Sequence, residues 1–266
     1  MKVLSETPNL KRPSLEFLNL EYNNLTGIIP QCLSDSPSLR VLNLQINTFH
    51  GTLPSNFSKD NGIDTLNFYG NKLEGHFPKS LSRCKNLEYL NLGNNKIEDN
   101  FSDWLLTLQY LEVLVNHFDI SGNNFSGFLP KAYLKNYEAM KDVTQVVGDN
   151  SLQYLPESYR IYRSKYSNSV TVATKGTKMT LVKIPKKFVS IDMSRNKFEG
   201  EIPNAIGELH ALKGINLSHN RLTGHIPQSI GKLTYLESLN LSSNMLTGVI
   251  PSELTNMNSL EVLNIF

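Results

Sequence analysis

The sequence predicts an α/β-type repeat, a solenoid with a parallel sheet on its concave face, interrupted once by a segment outside the repeat. Three observations predict it. A nine-residue pattern, LxxLxLxxN, recurs along the chain; most copies are 24 residues apart; and after seven of the eight copies comes a glycine followed three residues later by proline. Self-similarity at a fixed period of this size is the signature of stacked units, none of which can bury its apolar face alone.

The pattern ends at Asn23, Asn47, Asn71, Asn95, Asn123, Asn196, Asn220 and Asn244, with intervals of 24, 24, 24, 28, 73, 24 and 24. Its LxL portion reads as a short strand. Side chains alternate faces along a strand, so the leucines enter the core and the residue between them is expected to face solvent. The closing asparagine stands where the chain leaves the strand, and its amide can pair backbone groups that the turn leaves open. Asparagines stacked from turn to turn predict a buried ladder. The glycine of LTGIIP, FHGTLP, LEGHFP, FSGFLP, FEGEIP, LTGHIP and LTGVIP permits a bend that a side chain obstructs, and the proline fixes φ where no donor is needed. Each buried Leu or Ile contributes roughly 1.5–3 kcal/mol, so stability belongs to the stack.

The resulting consensus, LxxLxLxxNxLxGxIPxxLxxLxx, is similar to the plant class of leucine-rich repeats found in receptor-like proteins and receptor-like kinases. Roughly 210 of the 266 residues match it, and the Gly-x-Ile-Pro element is the specific part. The expected organisation is a repeat block over 1–130, an insertion over 131–187 and a second repeat block over 188–266.

The insertion is basic, with 11 Lys+Arg against 4 Asp+Glu in a chain whose net charge is +2, and it holds 6 of the 11 tyrosines. The 73-residue interval approaches three periods, which leaves degenerate repeats as an alternative, yet no LxxLxLxxN can be placed in it. YLKNYEAM has helical spacing, SVTVATKGTKMTLVKI alternates about Lys175-Gly176 as a hairpin does, and the stretch between them reads as a loop. In position, and in the KFVSIDMSRNKFEGEIP that follows it, the segment resembles the island domain of plant receptor-like proteins. That resemblance implies extracellular recognition of a peptide, glycan or protein ligand by the island. On this chain the implied contacts are Tyr154, Tyr159, Arg160, Tyr162, Arg163, Lys165 and Tyr166. It also implies that the repeats after the island meet a co-receptor kinase, through the sheet positions Asp192, Ser194, Arg195, Asn216, Ser218, His219, Asn240, Ser242 and Ser243. Most such variable positions are expected to be solvated.

Six Asn-x-Ser/Thr sequons stand at Asn24, Asn56, Asn100, Asn124, Asn216 and Asn240. They accept glycan only in a secretory context, and the repeat itself writes NLS and NLT. Asn216 and Asn240 fall on the concave strand, whereas Asn56 and Asn100 lie off it. Cys32 and Cys84 sit in turns two steps apart, about 10 Å at ordinary strand spacing, beyond the reach of about 7 Å between bridged Cα atoms. Two buried free thiols are expected. His76 and His225 share the Gly-His-x-Pro position and should sit solvated on one rim. No nucleophile motif, phosphate loop or metal-ligand spacing stands out, so neither an enzyme nor a cofactor or metal site is expected. The dispersed basic charge of the insertion lacks a nucleic-acid-binding fold.

Two departures from the pattern remain. The 28-residue interval reads as two repeats fused near 111–123, leaving one strand on Val115, Phe118 and Ile120 with local distortion. Both ends lack a polar capping unit, no signal peptide of about 7–15 apolar residues is visible, and no run approaches the roughly 18 apolar residues of a membrane span. Localisation to the extracellular side of the plasma membrane, with attachment through segments this chain does not contain, is what the resemblance implies. A secreted inhibitor of wall-degrading enzymes and a non-functional truncated copy are the alternatives.

Overall fold

The computed structural model describes residues 15–100, 117–129, 141, 170–174, 177–181 and 189–266. Nine short strands form one parallel sheet in sequence order: Phe17–Asn19, Val41–Asn43, Thr65–Asn67, Tyr89–Asn91, His117–Asp119, Val189–Asp192, Leu212–Asn216, Ser238–Asn240 and Val262–Asn264. Register is kept pattern position on pattern position, with Leu18 beside Leu42, Leu42 beside Leu66 and Leu66 beside Leu90. The apolar positions therefore stack as continuous columns, and Leu39, Leu44, Ile63, Leu73, Leu90, Leu222 and Leu239 are essentially inaccessible.

The interval of 28 residues does not break this register. His117–Asp119 pairs with Tyr89–Asn91, so that Phe118 lies beside Leu90. The buried Phe118 and Ile120 occupy the predicted core positions; Val115 and the rest of 101–116 lie outside the described residues. The interval of 73 residues does not break it either. Val189–Asp192 pairs with His117–Asp119, placing Ile191 beside Phe118 and Asp192 beside Asp119. The two repeat blocks stack as consecutive turns.

Beyond each concave strand the chain bends at the glycine of the Gly-x-x-Pro element, whose φ is positive at Gly27, Gly51, Gly75, Gly127, Gly200, Gly224 and Gly248. The residues around these glycines pair into two four-stranded parallel sheets, Thr26–Gly27 to Lys96–Ile97 and Ser126–Phe128 to Met245–Leu246, the second of which spans the insertion. The helical part of the turn is of the 3-10 kind, at Gln31–Leu33, Lys79–Arg83, Asn204–Glu208, Gln228–Lys232 and Ser252–Asn256, with proline at each N-cap.

The asparagine ladder forms as the spacing predicts. The side-chain amides of Asn47, Asn71, Asn95, Asn123, Asn196, Asn220 and Asn244 each donate to a carbonyl of the preceding turn at 2.9–3.0 Å. Their oxygens accept from backbone N–H groups of that same turn, for example Phe49, Phe125 and Leu222. The side chain of Asn23, in the first described turn, is exposed and among the described residues bonds only within its own turn.

The predicted hairpin is present: Val170–Thr174 runs antiparallel to Thr177–Leu181, with Thr174 opposite Thr177. The expected helix around YLKNYEAM and the loop after it fall outside the described residues, Lys141 excepted. Two expectations are corrected. Cys84 is buried, but Cys32 is only half-buried, because it occupies the outward middle of a 3-10 turn, where Cys84 takes the inward place filled by Leu209 and Leu233 in later turns. The residues between the strand leucines are not solvent-facing along the middle of the sheet. Asn43, Asn67, Asn91 and Asp119 are 2–5% exposed, shielded by the side chains of neighbouring strands.

Candidate functional site: the concave face at the joint between the blocks

On each strand the residue between the two apolar positions projects from the concave sheet. In register these are Asn19, Asn43, Asn67, Asn91, Asp119, Asp192, Asn216, Asn240 and Asn264. Each of the first eight tethers the end of its own strand, its Oδ1 accepting the backbone N–H two residues on, from Asn19 with Glu21 to Asn240 with Ser242. The row is amide except where the two blocks meet, and there two carboxylates are direct cross-strand neighbours.

Their environment follows from that placement. Asp119 is buried, accepts from the Ser121 backbone at 2.8 Å, and faces Asp192. Burial, and then the Asp192 charge, push its carboxyl up to about 7. Asp192 accepts from the Ser194 backbone and hydroxyl at 2.9 and 2.6 Å and from the Asn216 amide at 3.0 Å. Burial raises its carboxyl too, against the pull of those donors and of the Arg195 guanidinium. Tyr69 is raised by burial and by the charges of both aspartates. Neighbouring carboxylates held largely away from water resist joint ionisation.

Two residues earlier on the same strands, His117 Nδ1 and Ser190 Oγ are 2.6 Å apart. The His117 ring stacks on Tyr89 with centroids 4.9 Å apart and planes 23° apart. Burial drives its pKa down to about 3, so the imidazole is neutral, and its Nε2 is buried with no hydrogen-bond partner among the described residues. At the far end of the strands, the residue before each ladder asparagine adopts left-handed backbone even when it is not glycine: Tyr22, Ile46, Asn94, Arg195, His219 and Ser243. That conformation is unusual for a β-branched side chain such as Ile46. Tyr22 and Ile46 are exposed on this face.

The nine sheet residues singled out from the sequence do share one face across three adjacent strands, but most are not solvated as expected. Ser194, Ser218 and Ser242 are buried, because each hydroxyl is tied to the Oδ1 of Asp192, Asn216 or Asn240. Asp192, Asn216 and Asn240 are half-buried, leaving Arg195, His219 and Ser243 exposed. Tyr154, Tyr159, Arg160, Tyr162, Arg163, Lys165 and Tyr166 lie outside the described residues. Of the sequon asparagines, Asn24, Asn56, Asn100 and Asn124 are exposed. His76 and His225 are exposed on the glycine-proline rim, with His76 Nδ1 3.8 Å from Asp99.

Sequence reasoning passed over Tyr69, Tyr89, His117 and Asp119. The signal was legible for one of them: FDIS and IDMS carry Asp where the other strands carry Asn. Among the described residues no group of three or more His, Cys, Asp or Glu converges to hold a metal, and no helix is long and apolar enough to cross a membrane. The face offers amides, hydroxyls, carboxylates and a few exposed aromatic and cationic groups, an arrangement suited to non-covalent recognition.

Comparison with known proteins places this architecture. Leucine-rich repeat family models match residues 3–49 and 37–97, and again 187–209, 211–233 and 235–257. Receptor-like protein 18 of Arabidopsis thaliana is 44% identical over 94 residues, which cover 35% of this chain and 11% of that protein. The chain thus spans about a tenth of the length of the curated relatives it matches. Among solved structures, the plant peptide hormone receptor RGFR1 in complex with RGF2 superposes with a TM-score of 0.65 at 27% identity, covering 90% of this chain and 30% of that one. PEPR1 with AtPEP1 gives the same score and identity, covering 96% of this chain and 32% of the other.

Proposed function

This chain belongs to the leucine-rich repeat family of plant receptor-like proteins, and from that premise we propose that it is the extracellular ligand-recognition module of such a receptor. The reading rests on one observation above all: the concave sheet runs without a break through the point at which 131–187 is inserted. A receptor surface there combines a rigid polar face with a basic, tyrosine-rich segment anchored at its middle. Non-covalent binding of a peptide, wall-derived or microbial ligand is the activity, with no catalytic step. One of the solved structures reported above is that of a plant peptide hormone receptor in complex with RGF2, which favours a peptide.

Ligand contacts are assigned to the insertion, through Tyr154, Tyr159, Arg160, Tyr162, Arg163, Lys165 and Tyr166. A co-receptor kinase on the cell surface, acting in defence or development, would meet the following three turns, chiefly through the exposed Arg195, His219 and Ser243. In a secreted product the exposed Asn24, Asn56, Asn100 and Asn124 would carry glycan. Asn216 and Asn240, whose amide oxygens already bind the serine of their own sequons, would not.

The deciding experiment deletes 131–187 in a full-length receptor carrying this sequence. The turns flanking the deletion already stack on one another, so the receptor should reach the cell surface and lose its ligand response. An unchanged response refutes the assignment.

A further inference from the structure

The two facing carboxylates sit at the one place where the repeat blocks join. All other neighbouring pairs in that row contain at least one asparagine, whose NH₂ can donate to the next residue; the 3.0 Å bond from Asn216 to Asp192 is the instance beside the joint. Asp119 and Asp192 have no such donor between them unless one carries a proton. We propose that the joint between Asp119 and Asp192 is a pH-dependent latch, which closes when one of the two carboxyls is protonated and loosens when both are ionised.

The surrounding groups bear this out. Asn91 and Ser121 bond Asp119, and Ser194 and Asn216 bond Asp192. Arg195 is the cation that acts on Asp192, and Tyr69 stands close enough to feel both charges. None of them supplies a donor to both carboxylates at once. Desolvation is the largest cause that raises the Asp119 carboxyl, and the partner carboxylate adds to it. A carboxyl raised in the folded state favours the closed joint at low pH. That contribution is lost as the pH climbs from the ordinary carboxylate range through about 7. His117, on the same strand, titrates in the opposite sense, since its ring resists protonation while closed. Its effect cancels in a comparison between proteins that both retain it.

Native-state hydrogen exchange reads the latch directly. The amides of Ile120 and Gly122 bond across the joint to Asp192 and Ser194, while those of Phe68 and Gly70 bond across an all-asparagine step to Asn91 and Gly93. Exchange corrected for intrinsic rate should open the joint, relative to the Phe68 step, roughly ten- to hundredfold more in the wild type than in Asp119→Asn between about pH 5 and about pH 8. Asp192→Asn should give the same flattening. Both variants install the residue that occupies the other steps of the row, so folding should survive them. If the two steps respond alike to pH in the wild type, or if neither substitution removes the difference, the latch does not exist.

Discussion

The side-chain amide of Asn196 donates to the carbonyl oxygen of Ile120 at 2.9 Å, across 76 positions of sequence. Its oxygen accepts the Phe125 N–H at 3.0 Å, so one side chain fastens the second block to the first. Removing it leaves buried backbone groups unpaired, which costs about 1–3 kcal/mol. Asn196→Ala should lower the urea unfolding free energy by that amount. Asn23→Ala, at an exposed asparagine whose side chain bonds, among the described residues, only within its own turn, should stay within about 0.5 kcal/mol. Equal losses at both sites would show that the joint is no more dependent on its ladder bond than the Asn23 turn is on its own.

Gly93 lies under the aspartate row. A Cβ built there would come 2.9 Å from Asp119 Oδ1 and 3.0 Å from Ser121 Oγ and from the Tyr69 ring, whereas a Cβ on Gly214 meets only Ser190 at 3.6 Å. Overpacking of this kind costs roughly 1–3 kcal/mol. Gly93→Ala should therefore lower the melting temperature clearly while Gly214→Ala leaves it unchanged or slightly higher. The reverse order would mean that the concave face is loosely packed.

Ile46 holds a φ of +52°, where a β-branched side chain is strained by roughly 1–2 kcal/mol. Asparagine tolerates that backbone, and Asn94 already occupies it in a later turn. Ile46→Asn should raise stability by about 1 kcal/mol, measured by chemical unfolding. No gain would mean that packing of Ile46 over Gly70 offsets the strain.

The two thiols should separate chemically. Burial pushes the Cys84 thiol up to about 12, so it presents almost no thiolate near neutral pH, and thiolate is the reactive form. Cys32 is half-buried. A thiol reagent applied to the native protein at pH near 8 should modify Cys32 first, with Cys84 reacting only on unfolding. Simultaneous labelling of both in the folded protein contradicts this.

Much of this architecture was legible because it is local. The recurring nine-residue pattern located eight of the nine strands by their ladder asparagines, and the glycine before the proline of the repeat adopts the backbone that glycine favours. What was hidden depends on neighbours far away in sequence. That Asp192 stands beside Asp119 follows from pairing across the insertion, which no spacing rule supplies. The burial of Asn43, Asn67 and Asn91 arises because each strand's polar side chains cover the next. The left-handed backbone of Tyr22, Ile46 and Arg195 is imposed by the turn rather than invited by the residue. Cys32 was misplaced because a count of residues from an asparagine does not say which side of a 3-10 turn faces out.

The pairing of Ile191 beside Phe118 makes the scaffold indifferent to what is spliced between the two strands. Closing a longer excursion costs little, about 0.6 kcal/mol for each doubling of its length, and the stack supplies the same pair of anchor points whatever the excursion contains. The inserted sequence can therefore diversify, lengthen or be exchanged in one cassette while the frame that carries it stays under a separate and much stricter set of demands.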